Sequence, residues 1–153
     1  MQFDAVLPPI RLKEIPQLAK EAERSGRKRE AVNISVTALV VSEDTEREFA
    51  RSQLAFYAST PTYRPVMDLH GWGEVADQLR QLSRRGQWNE MADWINDEMM
   101  ETFATVAPRE KMAEALQERY TGLADRITLY LPFIPGERDP FWQAMVRDMK
   151  ASR

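Results

Sequence analysis

The chain has 153 residues, 43% hydrophobic and 29% charged, which suits one globular domain and argues against disorder. With 24 acidic against 21 basic side chains the net charge is −3, so no basic face for nucleic acid is expected. Zero cysteines exclude disulfides, thiolate catalysis and cysteine-ligated metals. No apolar run is long enough to span a membrane, and the start "MQFDAVLPPI" lacks the basic region of a signal peptide. The expectation is a cytoplasmic protein with neither nucleic acid nor membrane as partner.

In chain order, Phe3 to Leu7 is an apolar run stopped by Pro8-Pro9 and reads as a buried strand. Leu12, Ile15, Leu18, Ala19 and Ala22 then recur at helical spacing up to Ser25-Gly26, where glycine suits a left-handed helix end. The basic run Arg27-Lys28-Arg29 is short and followed by Glu30, a solvated turn rather than a phosphate grip. "AVNISVTALVV" is β-branched and alternating, the strongest strand signal in the chain. Asp44 or Thr45 is expected to cap the next helix, with Glu48 completing a capping box and Phe49, Ala50, Leu54 and Tyr57 facing inward.

"FYASTPTYRPVMDLHGWGE", Phe56 to Glu74, follows; it is dense in aromatics and prolines and holds the only histidine, His70. Two helices are expected next, one from Val75 to Gly86 and one carrying Trp88, Met91, Ile95 and Met99 inward. Phe103 to Val106 reads as a short strand, Pro108 opens a helix with Met112, Leu116 and Tyr120 inward, and Ile127 to Leu131 is the last strand. Phe141, Trp142, Met145 and Met149 give the closing helix. Strands alternating with helices imply a parallel sheet with right-handed crossovers.

The chemistry-bearing residues are few. A lone histidine and scattered carboxylates do not make a metal site, and neither a nucleophile elbow nor a glycine-rich phosphate loop is present. His70 is the one candidate acid or base, against the structural alternative of a ring packed in an aromatic loop. The helix start at "VAPREKM" places Ala107, Arg109, Glu110 and Lys111 where free N–H groups and positive charge can hold a phosphate.

Three segments carry a family resemblance: "FYASTPTYRPVMDLHGWGE", "LSRRGQWNEMADWINDEMMETFATV" and "DRITLYLPF". They resemble the C-terminal part of the luciferase-like monooxygenase family, in its branch of probable deazaflavin-dependent oxidoreductases. "MQFDAVLPPIRLKEIPQLAKEAE" is similar to the first strand and helix of the same branch. Such proteins are (βα)₈ barrels that bind reduced flavin or deazaflavin at the C-terminal ends of the strands, for hydride transfer or oxygen insertion. The resemblance implies one shortened domain, residues 1–26 matching the first βα unit and 27–153 the late units.

A closed barrel needs roughly 200 residues or more, and the second to fifth strands have no counterpart here. The expected fold is therefore α/β: a partial, half TIM-type barrel of about four parallel strands with helices on the outside. The first strand is expected beside the last, as in a closed barrel. By the same resemblance the cofactor is coenzyme F420 or FMN. Its polar end lies toward Ala107, Arg109, Glu110 and Lys111, and its ring toward Tyr63, Arg64, His70 and Trp72. Where the family often has valine, glycine, threonine, proline, this chain has Val106, Ala107, Pro108 and Arg109, and the loss of glycine weakens a close phosphate cradle.

The implied function is a flavin- or deazaflavin-dependent oxidoreductase, of monooxygenase or hydride-transfer type, whose pocket a second chain completes. The alternative is a non-catalytic scaffold or partner-binding homodimer. An open arc would leave strand edges and an apolar concave face bare, so a homodimer is expected. The competing outcome has the segment from Thr45 to Met100 fold over that face.

Overall fold

The computed structural model describes residues 3–7, 15–28, 31–132 and 134–151. Its elements run β1 (Phe3–Leu7), α1 (Ile15–Arg24), β2 (Val32–Val41), α2 (Asp44–Ser59), α3 (Arg64–Leu69), α4 (Gly73–Arg84), α5 (Trp88–Met91), α6 (Asp97–Phe103), β3 (Ala104–Val106), α7 (Met112–Tyr120), β4 (Arg126–Tyr130) and α8 (Asp139–Ala151). Pro8-Pro9, Leu12, Arg29 and Glu30 lie outside the described residues. α1 ends as expected: Gly26 takes φ 74°, and Arg27 N–H closes on Ala22 O at 2.9 Å.

β2 organises the sheet. All three other strands pair with it in parallel: β1 along Val32–Val36, β4 along Ser35–Leu39 and β3 along Leu39–Val41. Ser35 and Val36 each pair with both β1 and β4, so those two strands flank opposite edges. Leu39 pairs with both β3 and β4, which places β3 across from β4 as well. The sheet is therefore three strands wide, with β1 and β3 end to end on one side of β2 and β4 on the other.

The two faces of β2 feed two cores, because alternate side chains of a strand point to opposite faces. Leu39 and Val41 join Ala50, Leu54, Met67, Leu79, Met99, Met100 and Phe103 from α2 to α6. Ile34, Val36, Ala38 and Val40 join Met112, Leu116 and Tyr120 of α7 and Met145 of α8. The fold is α/β with a parallel sheet, as the sequence implies, but helices cover both faces of β2. Val36 and Ala38, expected on a bare concave face, are fully buried, and Leu129 packs against their core.

Three local expectations are corrected. The first strand does not lie beside the last; β1 pairs with β2 instead, which also buries the β1 edge of the longest strand. Thr45 does not cap α2: Glu43 holds the N-cap position, and the Thr45 hydroxyl donates to its Oε1 at 3.2 Å. The helix expected from Trp88 to Met99 breaks, because Asn96 accepts from Met99 N–H at 2.8 Å and starts α6 afresh. That break leaves Trp88 51% exposed while Met91, Ile95 and Met99 are buried.

Two cores separated by one strand should respond independently to truncation. Leu54→Ala should cost about 2–5 kcal/mol and Ile34→Val about 0.5–1.5 kcal/mol in urea unfolding. The double variant should equal their sum within about 0.5 kcal/mol. A coupling well above 1 kcal/mol would show that the two faces are not separate.

Candidate functional site

The Phe56–Glu74 stretch is pinned rather than open. Arg64 Nε donates to Asp68 Oδ1 at 2.8 Å, and the same guanidinium pairs with Asp77, tying α3 to α4. Gly73 makes this possible, since a Cβ there would stand 2.2 Å from Asp68 Oδ1 and 2.9 Å from Arg64 Nη2. Tyr63 meets Tyr57 edge-on at 5.4 Å. His70 stacks on Trp72 at 4.9 Å and 9°, and both rings set their planes against the Phe103 ring, at 5.2 and 5.7 Å. Phe103 immediately precedes β3, so this aromatic cluster sits at the start of β3, level with Leu39 in the C-terminal half of β2.

The residues expected to hold the cofactor's polar end lie at the other end of β3. Ala107 N–H donates to Val41 O at 3.1 Å and so continues the sheet ladder, and Lys111 N–H closes a turn on Pro108 O at 2.9 Å. Glu110 and Lys111 are exposed, in a single 3₁₀ turn before α7. Arg109 pairs with Glu43 and lies 5.8 Å from the Phe141 ring centroid. Ala107 and the Arg109–Lys111 turn thus follow β3, while His70 and Trp72 lie against Phe103 before it; Tyr63 packs on Tyr57, and Arg64 is tied to α4.

A crevice opens at the C-terminal ends of β2 and β4, at the same end of the sheet as Ala107, and Arg109 is joined to it through Glu43. After β2 the chain enters α2 on one face of the sheet; after β4 it enters α8 on the other. Such a reversal opens a crevice outside the strand ends, where ligands of open α/β sheets bind. Here it is a cavity of about 160 Å³ lined by Thr45, Glu46, Pro132, Ile134, Glu137, Arg138 and Trp142. Glu46 is only 4% exposed and fully engaged: its Oε2 accepts from Ser42 N–H at 2.6 Å and Ser42 Oγ at 2.7 Å, and its Oε1 from Arg138. Arg138 also pairs with Glu43. Sequence reasoning missed Glu43, Glu46 and Arg138, whose pairing spans 92 residues and leaves no local pattern. Among the described residues no group of histidines and carboxylates could hold a metal ion.

The sequence model of the family described as luciferase-like monooxygenase matches residues 8–126. Uncharacterized proteins of Mycobacterium bovis and Mycobacterium tuberculosis are 40% identical over 119 residues, which is 74% of this chain and 35% of theirs. A coenzyme F420 dependent tetrahydromethanopterin reductase from Methanopyrus kandleri has a similar structure, with TM-score 0.69 and 15% identity over 95% of this chain and 44% of that one. At that identity the likeness is one of fold. The chain spans about a third of the length of the curated relatives it matches.

The tyrosines around the pinned stretch give it a pH signature. Burial, then a hydrogen bond and charge repulsion from Tyr130 and Tyr63, push the Tyr57 phenol up to about 12. Burial also raises Tyr120 above its ordinary 10. An unfolded tyrosine loses its proton near 10, before the folded one does, so folding is favoured below pH 10 and loses that contribution as pH rises toward 12. Tyr57→Phe should flatten part of the fall in stability between pH 10 and 12. An unchanged slope in denaturant midpoints against pH would contradict this.

Proposed function

The chain belongs to the luciferase-like monooxygenase family, and from that premise we propose that it supplies one part of an oxidoreductase-type site for coenzyme F420 or FMN. The supporting observation is the size of the crevice. It measures about 160 Å³, whereas sites that enclose a small-molecule ligand hold roughly 300–1,000 Å³; the larger depressions, about 460 Å³ beside β3 and α7 and about 420 Å³ on α4, are open surface grooves. The residues present therefore do not fit a whole flavin or deazaflavin. Monooxygenase or hydride-transfer chemistry then depends on a second chain that completes the pocket, with Arg109 taking the polar end of the cofactor.

A second copy of the chain is the proposed partner, joined through β4. The β3 edge is blunted, because Arg119 donates to the carbonyls of Ala104 at 2.8 Å, Glu101 at 3.1 Å and Thr102. Ile34 O points to β4 and Val41 O to β3, so the even residues of β2 face β4; with Val36 aligned to Ile127, the N–H groups of Ile127 and Leu129 point outward. Two such edges pair across a two-fold axis. No described helix is long and apolar enough to cross a membrane, and a cytoplasmic location is part of the same proposal.

The second reading is a non-catalytic scaffold or partner-binding homodimer. It is favoured by the coverage of both faces of β2 within one chain and by the engagement of Arg109 and Arg138 with the chain's own carboxylates.

Light scattering after size exclusion, combined with titration by FMN and by F420, tests both. Binding is expected only in a species of twice 17.7 kDa. Ile127→Pro, which removes an outward N–H while keeping the ladder to β2, should return the mass to one chain and abolish binding. Arg109→Ala should keep the dimer and weaken binding by about 1–3 kcal/mol. A dimer that binds neither cofactor would favour the scaffold; tight binding by a single chain would reject the dependence on a partner.

A further inference from the structure

We propose that the outer surface where α2, α4 and α5 meet docks on an anionic lipid surface, with Phe56 and Trp88 at the headgroup boundary and Arg80, Arg84 and Arg85 on the headgroups. The chain reverses at the end of α4, where Gln87 N–H closes on Leu82 O at 3.0 Å. That turn sets Trp88 directly after the arginines and against α2, where its ring meets that of Phe56 at 6.3 Å. α2 also packs on the next turn, Ala92–Trp94. Phe56, Trp88 and Trp94 remain 50%, 51% and 44% exposed.

Single exposed aromatics are ordinary on a soluble chain; two in ring contact, with a third on the next turn, are not. At roughly 150–250 Å² per aromatic side chain, half-exposure of three leaves about 300 Å² of apolar surface in water, the size at which such patches commonly mark a contact. The cations beside them lack the partners that hold others. Arg47, Arg51, Arg64, Arg109, Arg138 and Arg147 each meet a carboxylate of this chain. Among the described residues no ion pair joins Arg80, Arg84 or Arg85, and all three are exposed.

The two features select the occupant together. Tryptophan and phenylalanine rings suit the boundary between headgroups and acyl chains. Arginine lays its apolar stem along that boundary while the guanidinium reaches the charged headgroups. Each cation close to an anionic leaflet adds about fivefold to partitioning. Arg80 and Arg84 line an open depression on α4 with Asp77 and Gln81, not a cleft that would seat an anchor residue of a protein partner. No described helix is long and apolar enough to cross a membrane, and lying on one requires none.

Two carboxylates share the face. Glu90 is held by Gln87 Nε2 at 2.7 Å, and Asp93 is exposed in the turn before Trp94. Three cations against these two anions leave a small local excess, in a chain whose net charge is −3. Attraction to an anionic surface is therefore short-ranged and directional: it turns the junction of α4 and α5 toward the leaflet. Charge alone does not hold the chain there, and a few rings alone bind weakly and reversibly. Like other peripheral contacts, this one needs both signals.

The test uses the full chain and no redox cofactor, so it stands apart from the proposed function. Vesicles of phosphatidylcholine, pure or mixed with phosphatidylglycerol at about two to one, are sedimented with the chain while tryptophan emission is followed. The parent chain should partition at least tenfold more strongly into the anionic vesicles, with a blue shift in emission, and lose that preference at high salt. Arg80→Gln, Arg84→Gln and Arg85→Gln combined should abolish the preference and leave the Tm unchanged. Phe56→Ser with Trp88→Ser should reduce binding at least tenfold, whereas Trp88→Phe should keep binding and remove most of the blue shift. Equal or absent partitioning into neutral and anionic vesicles, or a preference that survives loss of the three arginines, would overturn the proposal. So would binding to polyglutamate without binding to vesicles, which would assign the face to an acidic protein.

Discussion

A parallel strand buried on both faces and paired on both edges has no tolerance for exposure, and β2 is such a strand. Its row Ile34, Val36, Ala38, Val40 is wholly apolar, and the opposite row turns apolar at Leu39 and Val41. Parallel sheets keep both faces dry because their crossover helices lie on them. Every other strand borrows its order from β2: β1, β3 and β4 each pair with it, and no other pairing joins the described strands. The five residues of β4 illustrate the dependence, being half-buried or exposed themselves while matching β2 from Ser35 to Leu39.

The direction of the crossovers explains where the helices go. From β2 to β3 the chain moves one way across the sheet, and α2 to α6 cover the Leu39–Val41 face. From β3 to β4 it moves back past β2, and a right-handed connection in that direction must cross on the other face. There α7 packs, with α8 after it, over Ile34, Val36, Ala38 and Val40. An arc with all helices on its convex side would have left one of these rows in water. Placing β4 across from β3 covers it with the chain's own helices, and the same reversal creates the crevice between the starts of α2 and α8.

Much of this was legible in the residues. The β-branched run of β2 announces the central strand at its observed bounds, and the turn at Gly26 and the inward rows of α4, α7 and α8 follow from spacing alone. What spacing does not carry is which edge a strand joins. Ile127–Tyr130 reads equally well as a neighbour of β1 or of β2, since the same alternating row satisfies either. The site was hidden for a related reason. Glu46 stands in the first turn of an amphipathic helix, where a carboxylate is ordinary. Its burial depends on Ser42 behind it and Arg138 92 residues away. His70 drew notice as the sole histidine, but the ring is packed between Trp72 and Phe103, where its flat face serves as apolar surface.

The crevice and the pinned aromatic stretch are linked by a shared economy of charge. Arg64 is held by Asp68 and Asp77, Arg119 by three carbonyls, and Arg109 and Arg138 by Glu43 and Glu46. Each of these cations joins segments far apart in sequence or consecutive helices, so each fixes a junction that apolar packing leaves loose. At the crevice the junction coincides with connections that leave the sheet toward opposite faces. The ion pairs that close α8 onto the start of α2 therefore also limit the space at the strand ends. Enlarging that space to accept a ring system requires moving α8 and its loop, and the first bonds to yield in such a movement are those between Arg138 and the half-exposed Glu43.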